Sequence, residues 1–142
     1  MAIIERVLIS VTDKTGVVDL SKGLHALGIE VISTGGTAQA ISQAGVPVRE
    51  VSDVTGFPEM LDGRLKTIHP RIAGGVLAVR SKQAHMDSLA EHGIPRIDMV
   101  VVNLYAFEKV AARAGAPLHE LIENIDIGGP TCLLYTSDAA DE

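Results

Sequence analysis

Three glycines, each followed at once by an apolar segment, constrain this chain more tightly than any other feature: Gly28-Ile29, Gly45-Val46 and Gly93-Ile94. Glycine closes a helix because the left-handed residue past its last turn is least strained without a Cβ, so each pair marks a helix stop and a strand start. Val17, Leu20, Leu24 and Leu27 lie at helical spacing ahead of Gly28. Residues 38–44 form a short helix ahead of Gly45, and residues 82–92 form one ahead of Gly93. Strands are expected at residues 4–11 around Val7-Leu8-Ile9, at 29–32, at 46–51, and at 97–104 around Met99-Val100-Val101-Val102. Continuous apolar runs suit strands buried on both faces, and the alternation with helices predicts an α/β fold, a parallel sheet flanked by helices.

A chain of 142 residues, 46% hydrophobic and 21% charged, is sufficient for one domain with a core. A formal charge of −6 argues against a nucleic-acid partner, because affinity for a phosphate backbone is built from a surplus of Lys and Arg. No apolar run is long enough to cross a bilayer and the first residues lack a signal-peptide layout, so no membrane partner and a cytoplasmic location are expected. One cysteine, Cys132, excludes an internal disulfide, and five scattered histidines offer no zinc spacing, so no metal is expected.

In open parallel sheets, ligands sit beyond the carboxyl ends of the strands, where this chain has polar loops. Thr12-Asp13-Lys14-Thr15-Gly16 follows the first strand and Ser33-Thr34-Gly35-Gly36-Thr37 the second. The two glycines of the latter leave backbone N–H groups free to receive a phosphate at a helix N-terminus, although a glycine turn with Thr37 as N-cap accounts for the same five residues. Lys14 by itself is more readily taken as solvated beside a capping Thr12 or Asp13. Asn103 and Tyr105 end the strand of residues 97–104, where an amide and a phenol can orient a polar ligand or serve the fold. Leu118, Leu121, Ile122 and Ile125 make a helical stripe after Pro117, leading into Asp126-Ile127-Gly128-Gly129, where Asp126 is a general base, a cation orienter or a cap.

Residues 52–73 have no clear periodicity, and within them stands Asp62-Gly63-Arg64-Leu65-Lys66-Thr67-Ile68-His69-Pro70. Gly63 permits a tight turn, and Pro70 is expected to end any helix. Arg64 offers a planar fork for phosphate or carboxylate, and Lys66 a compact charge for a developing oxyanion. Taken by itself, this cluster reads equally well as a solvated basic loop.

Those motifs, together with Thr55-Gly56-Phe57-Pro58-Glu59-Met60, resemble in unbroken order over residues 1–131 the IMP cyclohydrolase domain of the bifunctional AICAR transformylase/IMP cyclohydrolase family. The resemblance implies a three-layer, Rossmann-like fold similar to methylglyoxal synthase, with the transformylase activity in a further C-terminal domain. It also implies a small-molecule purine nucleotide as partner, no cofactor, and room for a homodimer in the intact enzyme. The reaction implied is dehydrating ring closure of the formamido-imidazole carboxamide ribonucleotide (FAICAR) to IMP. Carried over residue by residue, the nucleotide lies near Ser10, Thr12, Asp13, Lys14, Thr34, Gly35, Gly36, Thr37, Arg64, Thr67, Asn103 and Gly128. Lys66, Tyr105, Asp126 and the Ile127 N–H are implied in catalysis. A phosphate-effector regulatory domain of the same fold, or methylglyoxal synthase itself, are the competing readings.

The chain departs from the family at its end. Residues 132–142 resemble a translated sequencing adapter and are read as foreign to the domain, which is then C-terminally truncated. Asp138 stands where the family has a lysine of the proton relay, so the 142-residue chain as written is expected to be nearly inactive in ring closure. Ala106 in place of the family's proline in the Asn103-Leu104-Tyr105 run is a smaller departure.

Overall fold

The computed structural model describes residues 3–104 and 106–125. Four parallel strands form one sheet: β1 (Arg6–Ser10), β2 (Glu30–Ser33), β3 (Arg49–Glu50) and β4 (Met99–Val102), in the order β3-β2-β1-β4. Helix α1 (Val17–Ala26) joins β1 to β2 and α2 (Gly35–Gln43) joins β2 to β3. The chain then returns through α3 (Val51–Thr55), α4 (Pro70–Leu77) and α5 (Gln83–Glu91) to lay β4 on the other side of β1. Two short helices follow, α6 (Phe107–Ala111) and α7 (Leu118–Glu123). This is the expected α/β, Rossmann-like fold with a parallel sheet and helices on its faces.

Alternation along the strands builds two cores. Val7, Ile9 and Val31 point to one face and pack with Val17, Leu24 and Ile41 of α1 and α2. Leu8 and Ile32 point to the other and pack with Val51, Val54 and Ile72 of α3 and α4 and with Ile97. Gly28, Gly45 and Gly93 all take positive φ (76°, 78° and 61°) at the helix stops read from the sequence. Among the described residues, no helix is long and apolar enough to cross a membrane.

Several expectations need correction. The strand expected at residues 46–51 pairs only through Arg49 and Glu50, because Pro47 has no N–H to donate to a ladder, and Val51 already opens α3. β4 is half-buried along its whole length instead of fully buried, since β1 is its one paired neighbour among the described residues. The helix expected from residue 38 starts at Gly35, with Thr34 as N-cap in place of Thr37. Pro70, expected to end a helix, begins α4. At the first helical position its missing N–H costs nothing, and the N-cap His69 accepts the Arg71 N–H on Nδ1 (3.1 Å).

Candidate functional site

The strand order reverses beside β1: β2 and β3 lie on one side of it and β4 on the other. In sheets of this kind the crevice at such a reversal, beyond the strand ends, is where ligands bind. A cavity of about 550 Å³ opens there. The end of β1 contributes Ser10, Thr12 and Lys14 to its wall, the β2–α2 junction contributes Thr34, Gly36 and Thr37, and the end of β4 contributes Asn103. Arg64, Lys66 and Thr67 enter from the segment between α3 and α4. Ten of the residues singled out in the sequence therefore line one cavity. Asp13 and Gly35 stand beside it without lining it, and Tyr105, Asp126, Ile127 and Gly128 lie outside the described residues.

Local geometry shapes the end of the cavity at the α2 N-terminus. Thr34 is extended (φ −144°, ψ 158°) and its side chain caps nothing, so the first N–H groups of α2 have no side-chain partner from the N-cap. Gly35 then takes φ 55°, and the turn from left-handed to right-handed backbone at Gly35-Gly36 gathers successive N–H groups into a concavity suited to an anion. Two ammonium groups flank it. A Cβ placed on Gly36 would stand 3.7 Å from Lys14 Nζ, and one on Gly35 4.0 Å from Lys66 Nζ. Cations at the positive end of a helix are unfavourable by themselves, and an anion seated between them reverses the sign of that interaction.

Hydrogen bonds hold the surrounding loops in place. Asn103 Oδ1 accepts from the N–H of Thr12 (2.5 Å) and of Asp13 (3.2 Å), and its Nδ2 donates to the Asp13 carbonyl (2.9 Å), so most of this amide is spent fixing the β1–α1 loop. The Thr37 hydroxyl ties α2 to the same loop, donating to the Val11 carbonyl (3.0 Å) and accepting its N–H (3.3 Å). Lys14 Nζ donates to the carbonyls of Val11 (3.3 Å) and Thr12 (3.4 Å), which holds it over the loop and against Gly36. The Asp13 carboxylate accepts the hydroxyl (2.7 Å) and N–H (3.0 Å) of Thr15. Those two donors hold its carboxyl below the usual range, helped by the nearby Lys109 and Lys14.

Arg64 and Lys66 are delivered by a strained hairpin. Met60 and Leu65 exchange both backbone hydrogen bonds (3.0 and 3.2 Å), and between them Leu61, Asp62 and Gly63 all take positive φ (55°, 55° and 83°). For a residue with a Cβ, that conformation costs about 1–2 kcal/mol. Gly63 is also a close approach: a Cβ there would lie 2.7 Å from Glu59 Oε1 and 3.6 Å from Lys66 Nζ. Sequence reasoning did not assign Glu59, Asp62, Ile122, Glu123 or Ile125 to a ligand site, and all of them line the cavity. For Glu123 a signal existed, a carboxylate set between the apolar Ile122 and Ile125 on the helix that leads to the Asp126 loop. Its partner, Arg64, is 59 residues away and is fixed only by folding.

A smaller cavity of about 180 Å³ adjoins the first and shares Thr34, Glu59 and Lys66 with it. Glu50 lines this cavity, and its carboxyl is pushed above its usual range by partial burial, with the nearby Asp53 and Glu59 adding to the effect. A raised carboxyl pKa stabilises the fold below the unfolded carboxylate range, and this contribution is lost as pH rises through the folded value. Glu50→Gln is therefore expected to raise the melting temperature at neutral pH by on the order of a few degrees or less, Glu50 being mostly exposed. That gain should vanish in melts recorded below about pH 4. A gain of equal size at both pH values would contradict this assignment.

Among the described residues, no three His, Cys, Asp or Glu side chains are grouped as a metal centre requires. The MGS-like domain family matches residues 16–131 of this chain. Among solved structures, the crystal structure of ForH matches with a TM-score of 0.79 at 36% sequence identity, over 91% of this chain and 64% of the ForH chain. This chain thus spans a little under two thirds of the length of that relative. Family match and structural similarity agree with the β3-β2-β1-β4 sheet and its cavity at the strand ends: the chain belongs to the MGS-like domain family.

Proposed function

We propose that this domain binds the phosphate of a purine ribonucleotide at the α2 N-terminus and closes the ring of FAICAR to give IMP. The observation that carries this reading is the convergence of Lys14, Gly36, Thr37, Arg64, Lys66 and Thr67 on one cavity. The motif resemblance to IMP cyclohydrolase domains supplies the substrate. In the reaction the carboxamide nitrogen attacks the formyl carbon, forming the C–N bond and placing negative charge on the former formyl oxygen. The carboxamide nitrogen gives up one proton and the formamido nitrogen the other, the former formyl oxygen takes up both, its bond to carbon breaks as the C=N bond to the formamido nitrogen forms, and water departs. No redox partner or co-reactant is needed.

Most of the rate advantage in such a step comes from holding two groups of one molecule in an attack geometry, which can supply several kcal/mol, up to roughly 7–11. A fixed cation at the oxyanion adds about 3–4 kcal/mol. Lys66, between Gly35 and Gly63, is the group assigned to the oxyanion, and Arg64 is assigned to binding. The implied proton relay of Tyr105 and Asp126, and the Ile127 N–H, fall outside the described residues and remain part of the proposal.

Calorimetric titration of the 142-residue chain with IMP, dihydroxyacetone phosphate and inorganic phosphate tests the binding half, with IMP expected to bind at least tenfold more tightly than either. Equal affinity for all three would overturn the purine reading. The catalytic half uses the chain with residues 132–142 replaced by the continuation found in IMP cyclohydrolases. FAICAR should then be converted to IMP, whereas methylglyoxal release from dihydroxyacetone phosphate would transfer the site to the other enzyme of this fold.

A further inference from the structure

Arg64, the planar cation of the cavity, already has an anion on its fork. Its Nε donates to Glu123 Oε2 (3.3 Å) and its Nη2 pairs with Glu123 Oε1. A two-point carboxylate contact of this kind is the arrangement a phosphate or carboxylate ligand would make with the same guanidinium. Glu123 ends α7, a six-residue helix with no buried residue, and its neighbours Ile122 and Ile125 line the cavity although they are 51% and 54% exposed. The ion pair therefore joins the strained hairpin that carries Arg64 to a helix whose residues help line the cavity. Both side chains keep solvent contact, at 60% and 47% exposed, so the tie is readily exchanged.

We propose that Glu123 is a built-in competitor for the anion received by Arg64, and that a ligand seats by replacing this carboxylate and freeing α7 from the hairpin. The identity of the ligand rests on the reading above; the exchange itself requires only an anion. Until an anion takes its place, the pair holds α7 to the hairpin at the cavity wall. Affinity for an anion is reduced by the fraction of molecules in which the fork is filled, so weakening the latch must tighten binding. An exposed, two-point pair of this type changes an equilibrium by up to about fivefold.

The test uses the full chain and three variants, Glu123→Gln, Arg64→Ala and the double substitution. Without ligand, amide exchange in residues 118–125 should rise about two- to fivefold in all three variants. In the wild type, adding inorganic phosphate should raise it similarly, and in Glu123→Gln it should add little. In titrations, Glu123→Gln should bind IMP about three- to fivefold more tightly than wild type. On the Arg64→Ala background the same change should have no effect, because no guanidinium remains to compete for. A gain that persists on that background would mean that Glu123 merely repels anions, and would overturn the latch. Weaker binding by Glu123→Gln would overturn it too, by making Glu123 a support for Arg64. Unchanged exchange in residues 118–125 would also overturn it, without reference to any nucleotide. If exchange responds to phosphate as expected while IMP binds no better than phosphate, the latch stands and the purine reading fails.

Discussion

Lys66→Ala is expected to slow ring closure about 100- to 1,000-fold while changing IMP affinity less than tenfold, measured in the domain carrying the continuation of IMP cyclohydrolases after Thr131. The ammonium group stands within 4.0 Å of the Cβ position of Gly35 and 3.6 Å of that of Gly63, between the helix end suited to phosphate and the strained hairpin. A cation there interacts weakly with a neutral formyl group and strongly with the oxyanion that replaces it, so its removal should fall on turnover. Arg64→Ala is the comparison: its fork recognises an anion present in the ground state, and its loss should raise the dissociation constant with turnover little altered. The opposite pattern, with Lys66→Ala losing affinity in proportion to rate, would make Lys66 a phosphate ligand and leave the oxyanion without its assigned partner.

The second large effect is on stability, and it comes from two adjacent glycines of α4 with opposite expected signs. Gly75 is buried against the segment entering β4, and an added Cβ would overlap the Pro95 carbonyl oxygen and lie 3.2 Å from Ile97 Cγ1. The Gly75 carbonyl also accepts the Ile97 N–H (3.0 Å) and Arg80 Nη2 (2.8 Å), so neither side of the contact can retreat without breaking hydrogen bonds. Overpacking against backbone costs about 1–3 kcal/mol or more, and the better helix propensity of alanine returns at most about 1. Gly75→Ala is expected to lower the melting temperature by on the order of 5–10 °C. At Gly74 the nearest atoms are Ile94 Cδ1 (3.4 Å) and Leu89 Cδ2 (3.7 Å), ordinary contacts with movable side chains. Gly74→Ala should therefore be neutral or stabilising by up to about 1 kcal/mol. Equal shifts for the two variants, read by calorimetry, would show that α4 does not dock through its backbone at Gly75.

Such a contrast cannot be read from the letters: Gly74 and Gly75 are one residue apart in the same helix, and only the approach of Pro95 separates them. The same division runs through the molecule. What was legible in the sequence was local. Helix stops at Gly28, Gly45 and Gly93 follow from the φ that each must adopt, and the apolar runs at Val7-Leu8-Ile9 and Met99-Val100-Val101-Val102 follow from side-chain alternation across a covered sheet. Lys14, the Gly35-Gly36 pair, Arg64 and Lys66 could be marked as candidates for anion binding because their donors and charge belong to the residues themselves.

Folding alone decided how those groups are used. It turned most of the Asn103 amide toward the β1–α1 loop, gave the Arg64 fork to Glu123, and brought Glu59 and Lys66 together across Gly63. It also moved the start of α2 back to Gly35, where Thr34 leaves the first N–H groups without a side-chain cap, and made Pro70 the first residue of a helix. The sheet order β3-β2-β1-β4, which puts the cavity beside β1, depends on β4 pairing with a strand more than 90 residues earlier. Local residue chemistry sets φ preferences, charge and alternation. A donor's partner and a strand's neighbour are set by contacts between distant segments, whose free energy exists only once the whole core has closed.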